Sequence, residues 1–140
     1  MIVERIKDIV ESMVSKPSFV YTTSAGFNLE GDDLDFPVIC LFQIVNVTSK
    51  IVGQGMYSNY ELNLVFVDKT EFDDTDIKND EVIQAMRILF VEFMAGFTSS
   101  GYFGKVGEIK SEAFFSKYDV NTCGVVCSFN VDYLEPEILC

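Results

Sequence analysis

The fold is decided by residues 122–133, which read Thr122-Cys-Gly-Val-Val-Cys-Ser-Phe-Asn-Val-Asp-Tyr133. Every odd-numbered residue from 123 to 133 is apolar, whereas the even-numbered residues are mostly small or polar. Since successive side chains of a β-strand point to opposite faces, this alternation predicts a strand with one face toward the core. The preceding segment, Asp119–Asn121, is predicted to be a turn that makes this strand part of a closing hairpin.

Four more segments have the composition of strands. They are Phe19–Thr23, Val38–Val45, Tyr60–Val67 and Val106–Phe115. The run at Val38–Val45 is continuously apolar and rich in β-branched residues, which predicts a central strand buried on both faces. Gly53 and Gly55 mark a turn or hairpin tip that precedes the alternating strand at Tyr60–Val67.

Two segments show helical periodicity. The first has apolar residues at spacings of four, three and four, namely Ile2, Ile6, Ile9 and Met13. Pro17 is predicted to end this helix. The second helix is predicted from about Asp80 to Ala95, with Asn79 as its N-cap and Gly96 at its end. Its apolar stripe consists of Val82, Met86, Leu89, Phe93 and Phe97.

The second helix has more apolar residues than one stripe accounts for. Its additional apolar residues are Ile83, Ile88, Phe90, Val91 and Met94. A helix that is apolar nearly all round is expected to be covered on more than one side. We therefore take Phe90 and Met94 as candidates for contact with another subunit.

The order of elements is helix, strands, helix and hairpin. This order predicts one α+β domain over residues 1–140, in which an N-terminal helix and one long helix pack on a largely antiparallel, twisted sheet. Apolar residues make up 49% of the chain. One domain of this size is not expected to bury all of them, so a partner is predicted to cover the remainder.

The charge of the chain restricts its partners. It has 22 acidic and 10 basic residues, a net charge of −12. This balance argues against specific nucleic-acid binding and against docking on anionic lipid, because both rely on Lys and Arg. It suits a basic protein partner or a surface that must repel DNA. The charged N-terminus is unlike a signal peptide, and no apolar stretch is expected to approach the roughly 20 residues of a membrane span.

The sequence offers little catalytic equipment. It contains no histidine, which is the commonest general base and transition-metal ligand. The four cysteines, at positions 40, 123, 127 and 140, form no CxxC pair, which argues against a zinc site. Cys123 and Cys127 would lie about 13 Å apart along a strand, too far for a disulfide. The cysteines are therefore predicted to be reduced, structural thiols.

The acidic and glycine-rich segments match no ligand-binding motif. Asp74 and Asp76 start like a calcium loop, but Lys78 and Asn79 stand where a ligand and a glycine are required. The glycines at 53–55 and 101–107 do not form a phosphate loop. The acids Asp32, Asp33 and Asp35 are typical of solvated loop charges, and a loose divalent-cation site there remains an alternative. We expect no enzyme activity, no cofactor and no bound metal.

The layout resembles the tail-terminator and tail-completion proteins of tailed bacteriophages, small subunits that form rings between head and tail. The matching stretches are Ile2–Val14, Phe36–Phe42, Tyr60–Val67, Asn79–Phe97 and Tyr118–Tyr133. The resemblance implies a non-enzymatic virion protein, assembled in the host bacterial cytoplasm as a homomeric ring of six or twelve copies. It further implies contacts with adjacent connector or tail proteins, with DNA only as passing cargo. It supplies no catalytic or binding residue to transfer.

Two other functions stay open at the level of sequence. The chain could be an acidic binding or inhibitor module of the immunity type, masking a basic protein. It could also be a small enzyme or ligand-binding domain with a pocket lined by Tyr and Phe. For a ring, contacts are predicted at the segment 43–59, the acidic connector 68–81, the second helix and the C-terminal tail. The candidates are Val52, Gln54, Met56, Asp73, Asp74, Asp76, Phe90, Met94, Leu134 and Ile138.

Overall fold

One mixed sheet supports two helices on the same face in the computed structural model, which describes residues 2–22, 35–53, 55–69, 76–116 and 122–134. Of residues 76, 77, 116 and 134 only the backbone is described. In chain order the elements are α1 (Ile2–Glu11), β1 (Ser18–Thr22), β2 (Val38–Phe42), β3 (Val47–Val52), β4 (Gly55–Lys69), α2 (Asp76–Ser99), β5 (Phe103–Val106), β6 (Lys110–Ser116) and β7 (Thr122–Leu134).

Two long strands form the spine of the sheet. β4 and β7 pair antiparallel from Tyr57 opposite Leu134 to Lys69 opposite Thr122. The two halves of β4 pair with β3 and β2, and β7 pairs with β6 and β5 in the same way. β1 lies outside β2 and is parallel to it, whereas the other pairings are antiparallel. The predicted α+β class with a largely antiparallel sheet is confirmed.

Strict alternation along the spine builds the main core. Leu62, Leu64 and Phe66 of β4 face the helices together with the odd-numbered residues of β7. On α2 the inward stripe is Met86, Leu89, Phe93 and Phe97. The rings of Phe93 and Phe97 meet those of the sheet edge-on, at centroid distances of 5.7 Å to Phe66 and 5.6 Å to Phe129. These aromatic contacts hold α2 against the spine.

The opposite face of the sheet has a smaller apolar cluster. Val38, Cys40, Val65 and Val67 are buried there, with Phe36 and Phe114 partly buried against them. Since Ile39 and Leu41 belong to the main core, β2 is buried on both faces, as its unbroken apolar run predicts. Farther along this face cross-strand pairs are polar, for example Asn59 Nδ2 donating to Asp132 Oδ1 at 2.9 Å.

The second helix is longer than its capping residues predict. It runs from Asp76 to Ser99, so Asn79 lies within the first turn and is not the N-cap. Gly96 does not end the helix either. A Cβ there would lie 3.4 Å from Ile9 Cγ2, an ordinary contact, so Gly96 lies where α2 packs against α1. Gly101, with φ of +80°, follows the true end.

Smaller differences affect the other elements. α1 ends at Glu11, six residues before Pro17, and Val14 is 93% exposed although it continues the apolar pattern. The strand predicted at Val106–Phe115 corresponds to β6, whereas β5 lies almost wholly before the predicted range. β6 pairs antiparallel with β7, as expected for the closing hairpin, while the turn predicted at residues 119–121 lies outside the described residues.

Candidate subunit interface

The hairpin of β3 and the first part of β4 extends beyond the helix-covered core. It pairs from Val47 opposite Tyr60 to Val52 opposite Gly55, with Gly53 at the turn. Gly53 has φ of +64°, which glycine adopts without the steric cost that a side chain would add. All six side chains of β3 are exposed. The hairpin tip predicted from Gly53 and Gly55 is therefore present, and it begins earlier than the predicted strand at Tyr60.

Half of the exposed β3 side chains are apolar. Ile51 is 76% exposed and Val45, just before β3, is 74% exposed. Isoleucine and valine are among the residues most often fully buried in soluble proteins. We define the hairpin surface by its five large exposed apolar residues, Val45, Val47, Ile51, Val52 and Tyr57. Val47 and Ile51 lie on one face of the hairpin, whereas Val52 and Tyr57 share the other face with Lys50.

The hairpin surface also has an open strand edge and very little charge. Among the described strands, β3 pairs with β4 and with no other. An edge of this kind offers unpaired backbone N–H and C=O groups to another chain. Within residues 43–60 Lys50 is the only charged residue, although the whole chain has a net charge of −12. Lys50 pairs with Tyr57 across the hairpin and is exposed.

A second exposed apolar area lies on α2, on the side away from the sheet. Ile88 is 62% exposed and Val91 is 65% exposed. The first half of this side forms a shallow groove, lined by Asp80, Glu81, Gln84, Ala85 and Ile88. We define the outer α2 surface by these five residues and Val91.

The predicted contact residues of α2 lie elsewhere on the helix. Phe90 and Met94 are partly buried and pack against the main core, and the Phe90 ring lies 5.4 Å from that of Phe66. Sequence reasoning included Ile88 and Val91 among the surplus apolar residues but did not select them. Their helical positions could have identified them as exposed, because both residues lie on the far side of the helix from the stripe of Met86, Leu89, Phe93 and Phe97.

The remaining predicted contact residues divide into three groups. Val52 is exposed on the hairpin, and Met56, which pairs with Ile51, is partly buried. Asp76 is the first residue of α2 and Leu134 the last of β7, with only their backbones described. The others lie outside the described residues, namely Gln54, Asp73, Asp74 and Ile138. The same is true of Asp32 and Asp33 of the alternative cation site.

The cysteines within the described ranges are buried thiols that form no disulfide. Burial raises the pKa of the Cys40 thiol to about 12 and that of the Cys127 thiol to about 11. Both thiols are therefore protonated at neutral pH, and the thiolate that acts as a nucleophile or metal ligand is not formed. Among the described residues, no three His, Cys, Asp or Glu side chains are grouped as a metal site.

The length and composition of α2 also require a correction. The segment Lys78–Ser99 is long and apolar enough to cross a membrane by these criteria alone. The expectation that no stretch approaches this length is wrong, because only Arg87 and Glu92 are charged between residues 82 and 99. One such helix is weak evidence for a membrane, since core helices of soluble proteins have the same properties. Here the inward stripe of α2 packs on the sheet.

Comparison with known proteins assigns no family to this chain. No protein-family model matches the chain, and no curated protein sequence matches it significantly.

Proposed function

We propose that this chain is a non-enzymatic structural subunit of a tailed-phage particle. In this role it forms a homomeric ring at the head–tail connector or in the tail, and DNA passes through the ring. The observation that carries the proposal is the hairpin surface, an apolar and almost uncharged ribbon on a strongly acidic chain. A solvent-facing apolar ribbon with an open strand edge favours association, because water is removed from the apolar side chains when a partner covers them.

The charge distribution supports a ring rather than a DNA-binding module. A net charge of −12 per subunit repels phosphates, and the repulsion grows with each copy around a ring. A channel of this kind lets DNA slide without holding it. Lys50 is the one charged residue within 43–60, and this low density of negative charge favours contact between acidic copies at the hairpin surface.

The layout of elements supports a connector subunit. The chain has an N-terminal helix, a largely antiparallel sheet, one long helix and a closing hairpin, which is the layout that the resemblance to tail-terminator and tail-completion proteins implies. This support concerns fold, and function is argued from the surface. The protonated thiols Cys40 and Cys127 also favour a structural role over cysteine chemistry.

Mass measurement by light scattering across a range of protein concentrations tests the proposal. A discrete species of about six or twelve subunits is expected, since a closed ring has a defined number of copies. Negative-stain images of the same sample should show rings with a central opening. A strict monomer that also binds no virion component would contradict the proposal. A monomer that captures a basic protein, with affinity falling steeply as salt rises, would instead favour the acidic inhibitor module.

A further inference from the structure

We propose that the hairpin surface of one copy docks on the outer α2 surface of the next copy. This inference rests on the proposed homomeric ring and assigns the pair of surfaces that builds it. The hairpin supplies exposed Val52 and Tyr57, which share one face with Lys50, and the helix supplies exposed Ile88 and Val91. Each surface is narrow, one a two-stranded ribbon and the other a single helix side, so the ribbon can lie along the shallow helix groove.

Charge complementarity favours a second copy as the occupant. Lys50 is the single charged residue of the hairpin, and the groove is lined by the acidic residues Asp80 and Glu81. The basic residues of α2, Lys78 and Arg87, are not among the residues that line the groove. A cation in an apolar ribbon therefore meets two anions beside an apolar strip, and the attraction also selects the register of the contact.

The two surfaces lie at opposite ends of the subunit. The first turns of α2 are near the start of β7, because Cys123 Sγ donates to the carbonyl oxygen of Asn79 at 3.7 Å. The last turns are near the end of β7, because Phe97 stacks on Phe103 with centroids 4.0 Å apart, and Phe103 pairs with Tyr133. The hairpin lies at this second end, since Tyr57 pairs with Leu134.

This placement makes the contact intermolecular and head-to-tail. From Tyr57 to Lys69 the spine extends about 40 Å at the rise of a β-strand, so a hairpin cannot reach the groove of its own subunit. Each copy then offers one hairpin and one groove to two different neighbours. Such heterologous contacts close into a ring when a whole number of equal subunit rotations adds up to 360°.

Disulfide trapping between two variants, each with one introduced surface cysteine, tests the pairing directly. Val52→Cys and Ile88→Cys are made in a chain in which Cys140 is replaced by serine, and the buried Cys40, Cys123 and Cys127 are retained. Each variant is oxidised alone and as an equal mixture of the two. The expected result is a cross-linked dimer in the mixture and little in either variant alone. A dimer from Val52→Cys alone indicates hairpin-to-hairpin contact, a dimer from Ile88→Cys alone indicates helix-to-helix contact, and either result overturns the inference.

Charge reversal provides the second test, read by light scattering. Lys50→Glu and Glu81→Lys should each weaken association about fivefold or more, and the double variant should recover it. Lys105→Glu, an exposed change in β5 outside both surfaces, is the matched control and should leave the mass unchanged. A wild-type ring that survives both single reversals, with no cross-link in the mixture, overturns this pairing alone. A wild-type chain that stays monomeric and untrapped overturns the homomeric ring together with it.

Discussion

At the scale of single residues, Gly124 shows how closely the two spine strands approach. It lies in β7 opposite Val67 of β4. A Cβ at this position would overlap the carbonyl oxygen of Phe66 and lie 2.9 Å from its carbonyl carbon. Both atoms belong to the backbone of the neighbouring strand, so no side chain can move aside to make room. Glycine is required here by packing.

We expect Gly124→Ala to lower the free energy of unfolding by about 3 kcal/mol, because the backbone of β4 must shift to admit the methyl group. Urea unfolding followed by circular dichroism measures the change. Gly107→Ala is the matched control. Its Cβ would be 3.4 Å from the carbonyl oxygen of Asn130, an ordinary contact, and the loss should stay below about 1 kcal/mol. Equal losses in the two variants would contradict this reading of the strand contact.

The buried thiols Cys40 and Cys127 predict a dependence of stability on pH. In the unfolded chain a thiol loses its proton near pH 8.5, whereas in the folded chain the pKa values are about 12 and about 11. Between these values the folded state holds more protons, so the free energy of unfolding falls as pH rises above about 9. Below that pH the contribution of the two thiols to the free energy of unfolding is constant.

Urea unfolding at pH values from 8 to 10.5 measures this slope, which reaches up to about 1.4 kcal/mol per pH unit for each thiol. The variant with both Cys40→Ala and Cys127→Ala is less stable at pH 8 because of lost packing. The decline of its free energy of unfolding with pH should nevertheless be shallower. Lys and Tyr also titrate in this range, but they are the same in both proteins, so the difference between the two declines comes from the thiols. Parallel declines in the two proteins would show that these thiols are not the source.

At the scale of elements, α2 is held to the sheet by aromatic packing on one side only. Phe97 is fully buried and contacts three rings, those of Phe93, Phe103 and Phe129. Phe97→Ala should therefore cost about 3–5 kcal/mol of unfolding free energy, since it removes a large buried side chain and leaves a cavity. Val91→Ala, on the outer side of the same helix, should cost less than about 1 kcal/mol.

Urea unfolding at low protein concentration measures both variants, so that association does not contribute to stability. A large loss for Val91→Ala in the monomer would mean that the outer side of α2 is covered within the subunit. That result would remove the outer α2 surface as a docking site.

The β3–β4 hairpin depends on its turn. Gly53 has φ of +64°, and a Cβ added to it would meet no described heavy atom within 4 Å, so backbone conformation alone restricts this position. Gly53→Ala should destabilise the hairpin by about 1–2 kcal/mol, and Gly53→Asn by less, because asparagine tolerates the left-handed region. Hydrogen exchange of the β3 amides measures the local stability of the hairpin. Equal protection in the two variants would contradict the assignment of strain to φ.

At the scale of the whole molecule, the net charge of −12 opposes the association that the apolar surfaces favour. Repulsion between copies extends about 30 Å at 0.01 M salt and about 8 Å at 0.15 M. The assembled fraction should therefore rise as salt increases over this range, as light scattering at fixed protein concentration would measure. Loss of assembly with added salt would mean that charge attraction, rather than apolar contact, holds the copies together.

Elements formed by interactions between residues near in sequence were easier to predict than features that depend on contacts between distant residues. The alternation of β7, the apolar run of β2 and the inward stripes of α1 and α2 are predicted correctly from the sequence. The predicted bounds of α2 are wrong, because Asn79 and Gly96 resemble capping residues but lie within the helix. Packing on the sheet stabilises turns that local capping preferences would end.

By itself, the sequence determined where both helices and the strands β1, β2, β4, β6 and β7 lie and which of their faces are apolar, because these patterns depend on backbone periods of a few residues. It did not predict β5. Only the tertiary structure decided which apolar residues remain exposed. It placed Phe90 and Met94 against the core and left Ile51, Ile88 and Val91 in solvent. It also brought β1 parallel to β2 and Gly124 against the backbone of Phe66. Burial depends on contacts between residues far apart in the chain, and a local pattern carries no information about where those partners lie.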